Sequence, residues 1–442
     1  MSTGASPLSA RRTARASSGP GPATTSIDHA RRQDTLWLLG LCAARAAGST
    51  MFMAYPTILS VVKPEWGLSY TAAGSISSGF QLGTALSLVL VSALADYVNP
   101  RALFIGGAGA GAAVSLLIPL VAHSYLSGLV LFTALAMALA GIYTPGVMLI
   151  SERFAPARRG NAVGWFLASS SMGYVLALVI GGFVVARAGW RSAVFVLALG
   201  PLVCLILALL LFRGNLGSPP ARSAGFSFHA DLSGNRPAQL MVAGYVFHSW
   251  ELLGMWAFTP AFMAAALAAH GMAPERSAGF GASLSALFHV MGAAASGAGG
   301  WLSDRWGRTA VIAGMMAISS LCSFTFGWLL TAPIALIMIV GCVYGFSAVG
   351  DSSVYSTGLT ETVTPSRLGA ALAVRSLLGF GAGAVAQPVF GIVLDLYGGE
   401  EAGAAGWGWA FSVLGVGGVL GLTCALWLRA LPESHRLAGG KR

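Results

Sequence analysis

Four ionisable residues lie deep within apolar segments, where an uncompensated charge is costly and usually marks a binding site or an ion pathway. They are Arg45, Glu251, Asp351 and Arg375. Arg45 follows the start of its segment by about 10 residues, or ~15 Å of helix, and Glu251 lies at a similar depth. A guanidinium in a dry cavity binds a carboxylate through two parallel hydrogen bonds, and a buried carboxylate can carry a proton. These residues therefore predict an anion site, Arg45 with or without Arg375, and a proton site at Glu251 or Asp351.

A purely structural interpretation of the same charges remains open. Arg45 would then be neutralised by Glu251 or Asp351, and the pair would hold neighbouring helices together. Arg375 lies about eight residues into its segment, near enough to an interface for its long side chain to reach water. Anion binding and anchoring are thus both compatible with its position.

Aromatic residues and one histidine accompany the charges. Tyr55 follows Arg45 in the first segment, and Trp250 and Trp256 flank Glu251. Aromatic side chains at helical spacing usually pack in a core, but beside buried charges they also supply contact area for a substrate. His248 shares a helical face with Glu251 and either packs there or shares the proton. We predict the three aromatics as substrate contacts and His248 as part of the proton site.

The elements that position these residues must be membrane helices. Only 9% of the 442 residues are charged and 56% are hydrophobic, whereas a soluble domain has about a quarter charged residues. Residues 102–122 and 192–212 contain no charged residue and no histidine, and each matches the ~20 residues that cross a bilayer. The composition excludes a water-soluble globule and predicts about twelve apolar helices. The net charge of +10 is not assigned to nucleic acid, because no soluble basic domain is predicted.

Shifts in composition divide the chain into five parts. They are a disordered tail over 1–34, a six-helix bundle over 35–213, a linker over 214–238, a second six-helix bundle over 239–430 and a tail over 431–442. The Arg- and Ser-rich first tail also resembles a transit peptide. Of the 25 Lys and Arg residues, 19 fall on one side if both termini are cytoplasmic. The positive-inside rule then predicts cytoplasmic termini, in the plasma membrane or the inner membrane of a bacterium.

Sequence motifs for enzymatic chemistry or cofactor binding are not found. The two lysines, Lys63 and Lys441, have no phosphate-binding context. No G-x-S-x-G or H-E-x-x-H occurs, and the five cysteines lie in apolar segments without zinc spacing. We therefore expect no enzyme activity, no metal and no cofactor.

The two bundles repeat each other. Glu152, Pro156, Arg158 and Gly160 recur 209 residues later, and Pro56 has a counterpart in Pro260. Parallel repeats of this kind place a binding site between the halves near the membrane midplane. The sequence thus predicts an all-α integral membrane protein with two parallel six-helix repeats around a central cavity.

The connection over residues 300–308, Gly-Trp-Leu-Ser-Asp-Arg-Trp-Gly-Arg, resembles the G-x-x-x-D-R-x-G-R signature of the major facilitator superfamily. A degraded copy in the first half keeps Asp96 and Arg101. The resemblance implies a twelve-helix secondary transporter whose first, fourth, seventh and tenth helices line the cavity. It also implies a cytoplasmic gate latch formed by these charges, namely Asp96, Arg101, Asp304, Arg305 and Arg308.

Together these features predict transport of a small organic anion, namely a carboxylate, by alternating access with proton coupling. The expected partners are that substrate, the proton and the lipid bilayer. Efflux of amphipathic or cationic compounds is an alternative, in which Glu251 and Asp351 attract the cation. The fifth helix resembles the superfamily's antiporter motif without its proline, which weakens efflux. A receptor or scaffold without transport is a further alternative.

Overall fold

The computed structural model describes residues 22–95, 97–213, 232–364 and 367–441, and within these ranges the chain forms helices and no β-strand. The first half contains the helices α1 (Pro22–Gly48), α2 (Ala54–Glu65), α3 (Tyr70–Leu94), α4 (Pro100–Val121), α5 (Tyr125–Arg153) and α6 (Pro156–Leu211). A 3-10 turn, Ser49–Met53, joins α1 to α2. The two form one continuous apolar span from Arg31 to Glu65.

The second half repeats this arrangement. It contains α7 (Arg236–Ala269), α8 (Pro274–Trp306), α9 (Arg308–Phe326), α10 (Ile334–Gly350), α11 (Ser352–Thr362), α12 (Leu368–Leu396) and α13 (Gly403–Ala430). Asp351 lies at the joint between α10 and α11, which together form one apolar span. A short 3-10 segment, Pro432–Gly440, follows α13.

The helix α6 accounts for two membrane spans. Eleven helices in the described ranges are long and apolar enough to cross a membrane. At ~1.5 Å per residue, the 56 residues of α6 would form a straight rod far longer than the ~30 Å hydrocarbon core. Gly189 interrupts α6 with φ 77°, a backbone conformation that glycine adopts without steric cost. Counting α6 as two spans gives the twelve predicted from composition, and the all-α fold of two six-helix bundles is confirmed.

Helical structure extends into both terminal segments, while residues 1–21 of the predicted tail and 214–231 of the predicted linker lie outside the described residues. Helix α1 begins at Pro22, inside the predicted tail, because the Ala, Arg and Gln residues before the first apolar stretch are good helix formers. After α13, Ser434 and Leu437 are buried against the second half. Helix α7 begins at Arg236, at the end of the predicted linker.

Small residues allow the two halves to pack closely. Helix α3 lies along α12, and α6 lies along α8. At both contacts the glycines Gly74, Gly182, Gly279 and Gly391 face backbone atoms of the other half so closely that a Cβ would clash. Exchange of any of them for a larger residue would push the bundles apart.

One end of the interface between the halves is closed by hydrogen bonds. The Asp395 carboxylate, near the end of α12, accepts 2.8 Å hydrogen bonds from the backbone N–H groups of Tyr70 and Thr71 at the start of α3. Closer to the centre, the Ser78 hydroxyl donates to the Ala384 carbonyl oxygen. These contacts hold the halves together where α3 begins and α12 ends.

Candidate functional site

A central cavity of about 350 Å³ lies between the halves. Its wall includes residues of α1, α3, α5 and α6 from the first half and of α7, α8, α10, α11 and α12 from the second. Serine hydroxyls from both halves contribute polar groups. Polar and charged side chains converging in a mostly apolar cavity are typical of a small-molecule site.

Arg45 lines this cavity from α1. Its Nε donates a 2.8 Å hydrogen bond to the Ser170 hydroxyl on α6. Its guanidinium carbon lies 5.5 Å from the ring centre of Tyr143 and 5.6 Å from that of Phe166. The rings stabilise the cation without neutralising it. The orientation of Arg45 is therefore fixed by neutral groups.

Arg375 lines the same cavity from α12. Its Nη1 donates a 2.7 Å hydrogen bond to the Ser356 hydroxyl on α11, and its guanidinium carbon lies 4.1 Å above the Tyr245 ring on α7. Its Nε is buried and has no hydrogen-bond partner among the described residues. The Arg375 head group is thus held by Ser356 and Tyr245 beside the cavity.

Among the described residues, neither arginine is neutralised by an acid. Within the described residues, no carboxylate forms an ion pair with Arg45 or Arg375. The interpretation in which Glu251 or Asp351 neutralises Arg45 is therefore wrong for this conformation. Two unpaired guanidinium groups, one from each half, leave the cavity electrically complementary to an anion.

Three aromatic rings form one part of the cavity wall. Phe52 and Tyr174 are stacked, with ring centres 4.7 Å apart, and Trp256 meets both rings edge to face. The predicted substrate contact Trp256 therefore lies in the cavity. His289 packs behind Trp256 and Tyr174, with ring centres 5.0 and 6.2 Å away.

The other two predicted aromatic contacts lie outside the cavity. The Tyr55 hydroxyl donates to the Ala73 carbonyl oxygen, and its ring packs on Phe132. The Trp250 indole donates to the Val413 carbonyl oxygen on α13. Tyr55 lines a smaller cavity shared with Trp256 and Gln387 of the second half, whereas the Trp250 indole turns toward α13 of its own half.

A buried histidine–aspartate pair lies behind the cavity wall. His248 Nδ1 is 2.9 Å from Asp351 Oδ1, and both side chains are almost completely buried. The Tyr245 ring, which carries Arg375 on one side, lies 5.3 Å from the His248 ring. One aromatic ring thus separates a cavity arginine from a pair able to exchange a proton.

Glu251 does not face the cavity, contrary to the expectation from its position in α7. Its carboxylate accepts hydrogen bonds from the Ser319 and Ser323 hydroxyls on α9, at 3.0 and 2.6 Å. The Ser323 hydroxyl also contacts the Tyr344 hydroxyl. His248 and Glu251 lie on one helix, but the histidine pairs with Asp351. Depth alone could not distinguish the inner face of α7 from the face toward α9.

Arg308, Asp304 and Glu361 form a charge cluster in the second half. Arg308 donates to Asp304 at the end of α8 and, at 2.8 Å, to Glu361 at the end of α11. Arg305 instead lies over the exposed Trp301 ring. Arg101 is at the start of α4, and Asp96 lies outside the described residues. In this conformation the described part of the cluster joins helices of one half only.

Several residues of the site were not predicted. Tyr143, Tyr174, Tyr245 and Ser170 are neutral, so depth and charge could not select them. Phe52 had a detectable signal, since it precedes Pro56 by four residues, as Trp256 precedes Pro260. Glu361 recurs in the repeat, but only the fold brings it to Arg308.

Comparison with known proteins places this geometry in context. A family model described as the Major Facilitator Superfamily matches residues 38–350. Probable transporter SCO4007 of Streptomyces coelicolor is 28% identical over 425 residues, covering 91% of this chain and 92% of that protein. The Uncharacterized transporter YgaY of Escherichia coli O157:H7 is 27% identical over 190 residues, 43% of this chain and 46% of YgaY.

A third relative and two solved structures extend the comparison. The voltage-gated purine nucleotide uniporter SLC17A9 of Rattus norvegicus is 26% identical over 184 residues, 40% of each chain. The matched regions of YgaY and SLC17A9 thus span less than half of those proteins. The inward-facing, unoccupied bacterial homolog of the human lysosomal transporter Spinster superposes with a TM-score of 0.71 at 18% identity, covering 90% of this chain and 98% of that one. The nucleoside transporter NupG gives 0.70 at 12%, covering 89% and 99%.

Proposed function

The chain belongs to the major facilitator superfamily, and on that premise we propose that it is a secondary active transporter of a small organic anion. The observation that carries the proposal is the pair of unpaired arginines, Arg45 and Arg375, in one cavity. A guanidinium group binds a carboxylate or phosphate through two parallel hydrogen bonds. An anion held between the two arginines would contact both halves at once.

The available donors support this assignment. Arg45 uses Nε for Ser170, so its two terminal nitrogens remain available to a carboxylate. Arg375 uses Nη1 for Ser356 and its Nε is buried, so its Nη2 is the donor that remains for an anion in the cavity. SLC17A9 is named as a transporter of purine nucleotides, which are anions.

Cation efflux receives less support from the same cavity. That function requires acidic groups in the wall, and Glu251 and Asp351 are not among the lining residues. A cation entering the cavity would meet two guanidinium groups instead. We therefore retain anion transport as the single proposal.

Proton coupling is assigned to His248 and Asp351. Binding of an anion at Arg375 changes the field felt through Tyr245 by His248, whose partner is Asp351. Protonation of the pair and occupation of the cavity would then favour one another, as coupling requires. Glu251 is held by two serines on the far side of α7 and serves the packing of α9.

Alternating access would close the two ends of the cavity in turn. If both termini are cytoplasmic, α3 begins and α12 ends outside, and the Asp395 contacts then close the outer end of the cavity. The cluster of Arg308, Asp304 and Glu361 is then cytoplasmic, and with Arg305 and Arg101 it would belong to the gate that closes before the cavity opens outward.

A thermal-shift screen tests the proposal. Purified protein is titrated with small carboxylates and, in parallel, with lipophilic cations. A ligand at 100 times its dissociation constant stabilises the folded state by about 2.7 kcal/mol, which raises the melting temperature measurably. Stabilisation by carboxylates that disappears in both Arg45→Gln and Arg375→Gln supports anion transport. Stabilisation by cations alone refutes it.

A further inference from the structure

Phe52 and Trp256 occupy corresponding positions in the two halves. Each lies four residues before the proline of the first membrane span of its half, Pro56 or Pro260. Their ring centres are 6.2 Å apart with an interplanar angle of 87°. The two repeats therefore place an aromatic residue at the same depth on each side of the cavity.

Tyr174 completes an aromatic wall with these two residues. It stacks on Phe52 at 4.7 Å and 30° and meets Trp256 at 5.7 Å and 65°. All three side chains are only half-buried, and all three line the cavity. His289 supports Trp256 and Tyr174 from behind and is itself buried. His289 thus packs against two of the three rings, while all three rings line the cavity.

The wall lies one helical turn from the Arg45 site. Ser170, which orients Arg45, and Tyr174 are four residues apart on α6, and such residues are surface neighbours about 5–6 Å apart. In the 3-10 turn that follows α1, Ser49 and Phe52 also line the cavity. An aromatic ring attached to a carboxylate at Arg45 would therefore reach the aromatic wall.

We infer that the transported anion carries an aromatic ring, with its carboxylate at Arg45 and its ring against Phe52, Tyr174 and Trp256. The inference rests on the proposed anion transport and specifies its substrate class. A cavity of about 350 Å³ is near the lower end of the 300–1,000 Å³ usual for ligand sites. It suits an aromatic carboxylate of one or two rings.

Alternatively, the three aromatic residues would only close the outer end of the cavity, as a plug, and would not bind the substrate. A plug would bind aromatic and saturated rings with equal affinity, because it recognises no substrate. Aromatic pairs gain stability from ring geometry beyond the area that they bury. A comparison of two carboxylates that differ only in saturation of the ring separates the two roles.

The experiment measures binding by isothermal titration of the full-length protein in nanodiscs. The probes are 2-naphthoate and its saturated counterpart decahydro-2-naphthoate, together with benzoate and cyclohexanecarboxylate. We expect each aromatic probe to bind about tenfold more tightly than its saturated partner, the upper range for one aromatic pair. Trp256→Leu should remove this preference while retaining the affinity for the saturated acid, and Trp256→Phe should preserve most of it.

Matched variants complete the test. Trp301→Leu changes an exposed tryptophan on α8 outside the cavity and should keep the preference. Phe52→Leu provides a second wall variant if Trp256→Leu does not fold. Arg45→Lys should weaken both members of each pair equally. Equal binding of aromatic and saturated acids by the unmodified protein would overturn the ring inference alone, whereas absence of binding by all four acids would overturn the anion proposal itself.

Discussion

The Thr71 hydroxyl donates a 2.6 Å hydrogen bond to Asp395, which lies 324 residues later in the other half of the protein. With the two backbone N–H groups at the start of α3, the carboxylate accepts three short hydrogen bonds. A carboxylate at a helix N-terminus also interacts favourably with the helix dipole. Because all three donors belong to the opposite half, these bonds must break when this end of the cavity opens.

Loss of the Asp395 carboxylate should favour the outward-open state. Asp395→Ala removes three bonds to a charged acceptor, each worth about 1.5 to 3 kcal/mol, although water compensates part of this loss in the open state. We expect at least a tenfold shift in population. Spin labels at the exposed residues Leu126 and Leu396, one in each half, report the distance between the two halves by double electron-electron resonance.

The control for this shift is Thr71→Ser, which keeps the hydroxyl and should leave the distance distribution unchanged. A distribution that is equally unchanged in Asp395→Ala would show that the carboxylate does not hold the outer end closed.

If His248 and Asp351 couple transport to protons, a variant of this pair should lose accumulation of substrate but keep exchange. Asp351→Asn cannot exchange a proton, so accumulation driven by a pH gradient should disappear while exchange of substrate across the membrane continues. Glu251→Gln is the matched control, since it alters an equally buried carboxylate away from the cavity, and accumulation should persist. Uptake in proteoliposomes with an imposed pH gradient measures both variants. Accumulation by Asp351→Asn at the normal level would exclude this pair as the coupling site.

Much of the fold was predictable because the bilayer restricts the solutions. A chain with 9% charged residues must satisfy its backbone polar groups within helices. The repeated Pro56 and Pro260 then indicated two equivalent bundles. The break at Gly189 was also indicated, because residues 192–212 were predicted as a separate apolar span that begins three residues after it.

The site was less predictable because depth does not determine direction. Arg45 and Glu251 were predicted at similar depth in cavity-lining helices, yet of the two only Arg45 lines the cavity. Successive residues of a helix are rotated by about 100°, so two residues at nearly the same depth can face opposite sides of the helix. For α7, which is buried on nearly all sides, the apolar pattern could not reveal which face Glu251 presents to α9.

Topology gives an independent prediction. The distribution of Lys and Arg places the loop between α5 and α6 in the cytoplasm and the loop between α7 and α8 outside. Ala155 and Ala273 are exposed residues in these loops. Ala273→Cys should react with an impermeant maleimide added to intact cells, and Ala155→Cys should react only after lysis, with the unmodified protein as control for the native cysteines. The opposite pattern would invert the orientation and assign the Asp395 contacts to the cytoplasmic end.

The geometry of Arg45 predicts a sharp difference between arginine and lysine. The Ser170 hydroxyl accepts from Nε, and the two terminal nitrogens are the planar fork that would donate to a carboxylate. Arg45→Lys keeps the charge but loses the fork. Substrate binding should weaken by about 1.5 to 3 kcal/mol, the range for a hydrogen bond to a charged group. The folded protein should remain stable, because the arginine has no acidic partner among the described residues that the exchange would leave unpaired.

Affinity and thermal stability must be measured on the same preparation of Arg45→Lys. Ser170→Ala is the informative companion, since it frees Nε without changing the charge and should weaken binding less than the lysine exchange. If Arg45→Lys is stable and binds its carboxylate as tightly as the unmodified protein, the guanidinium does not bind the substrate. Arg45 would then be a positive charge stabilised by Tyr143 and Phe166, and Arg375 would be left as the remaining anion site in the cavity.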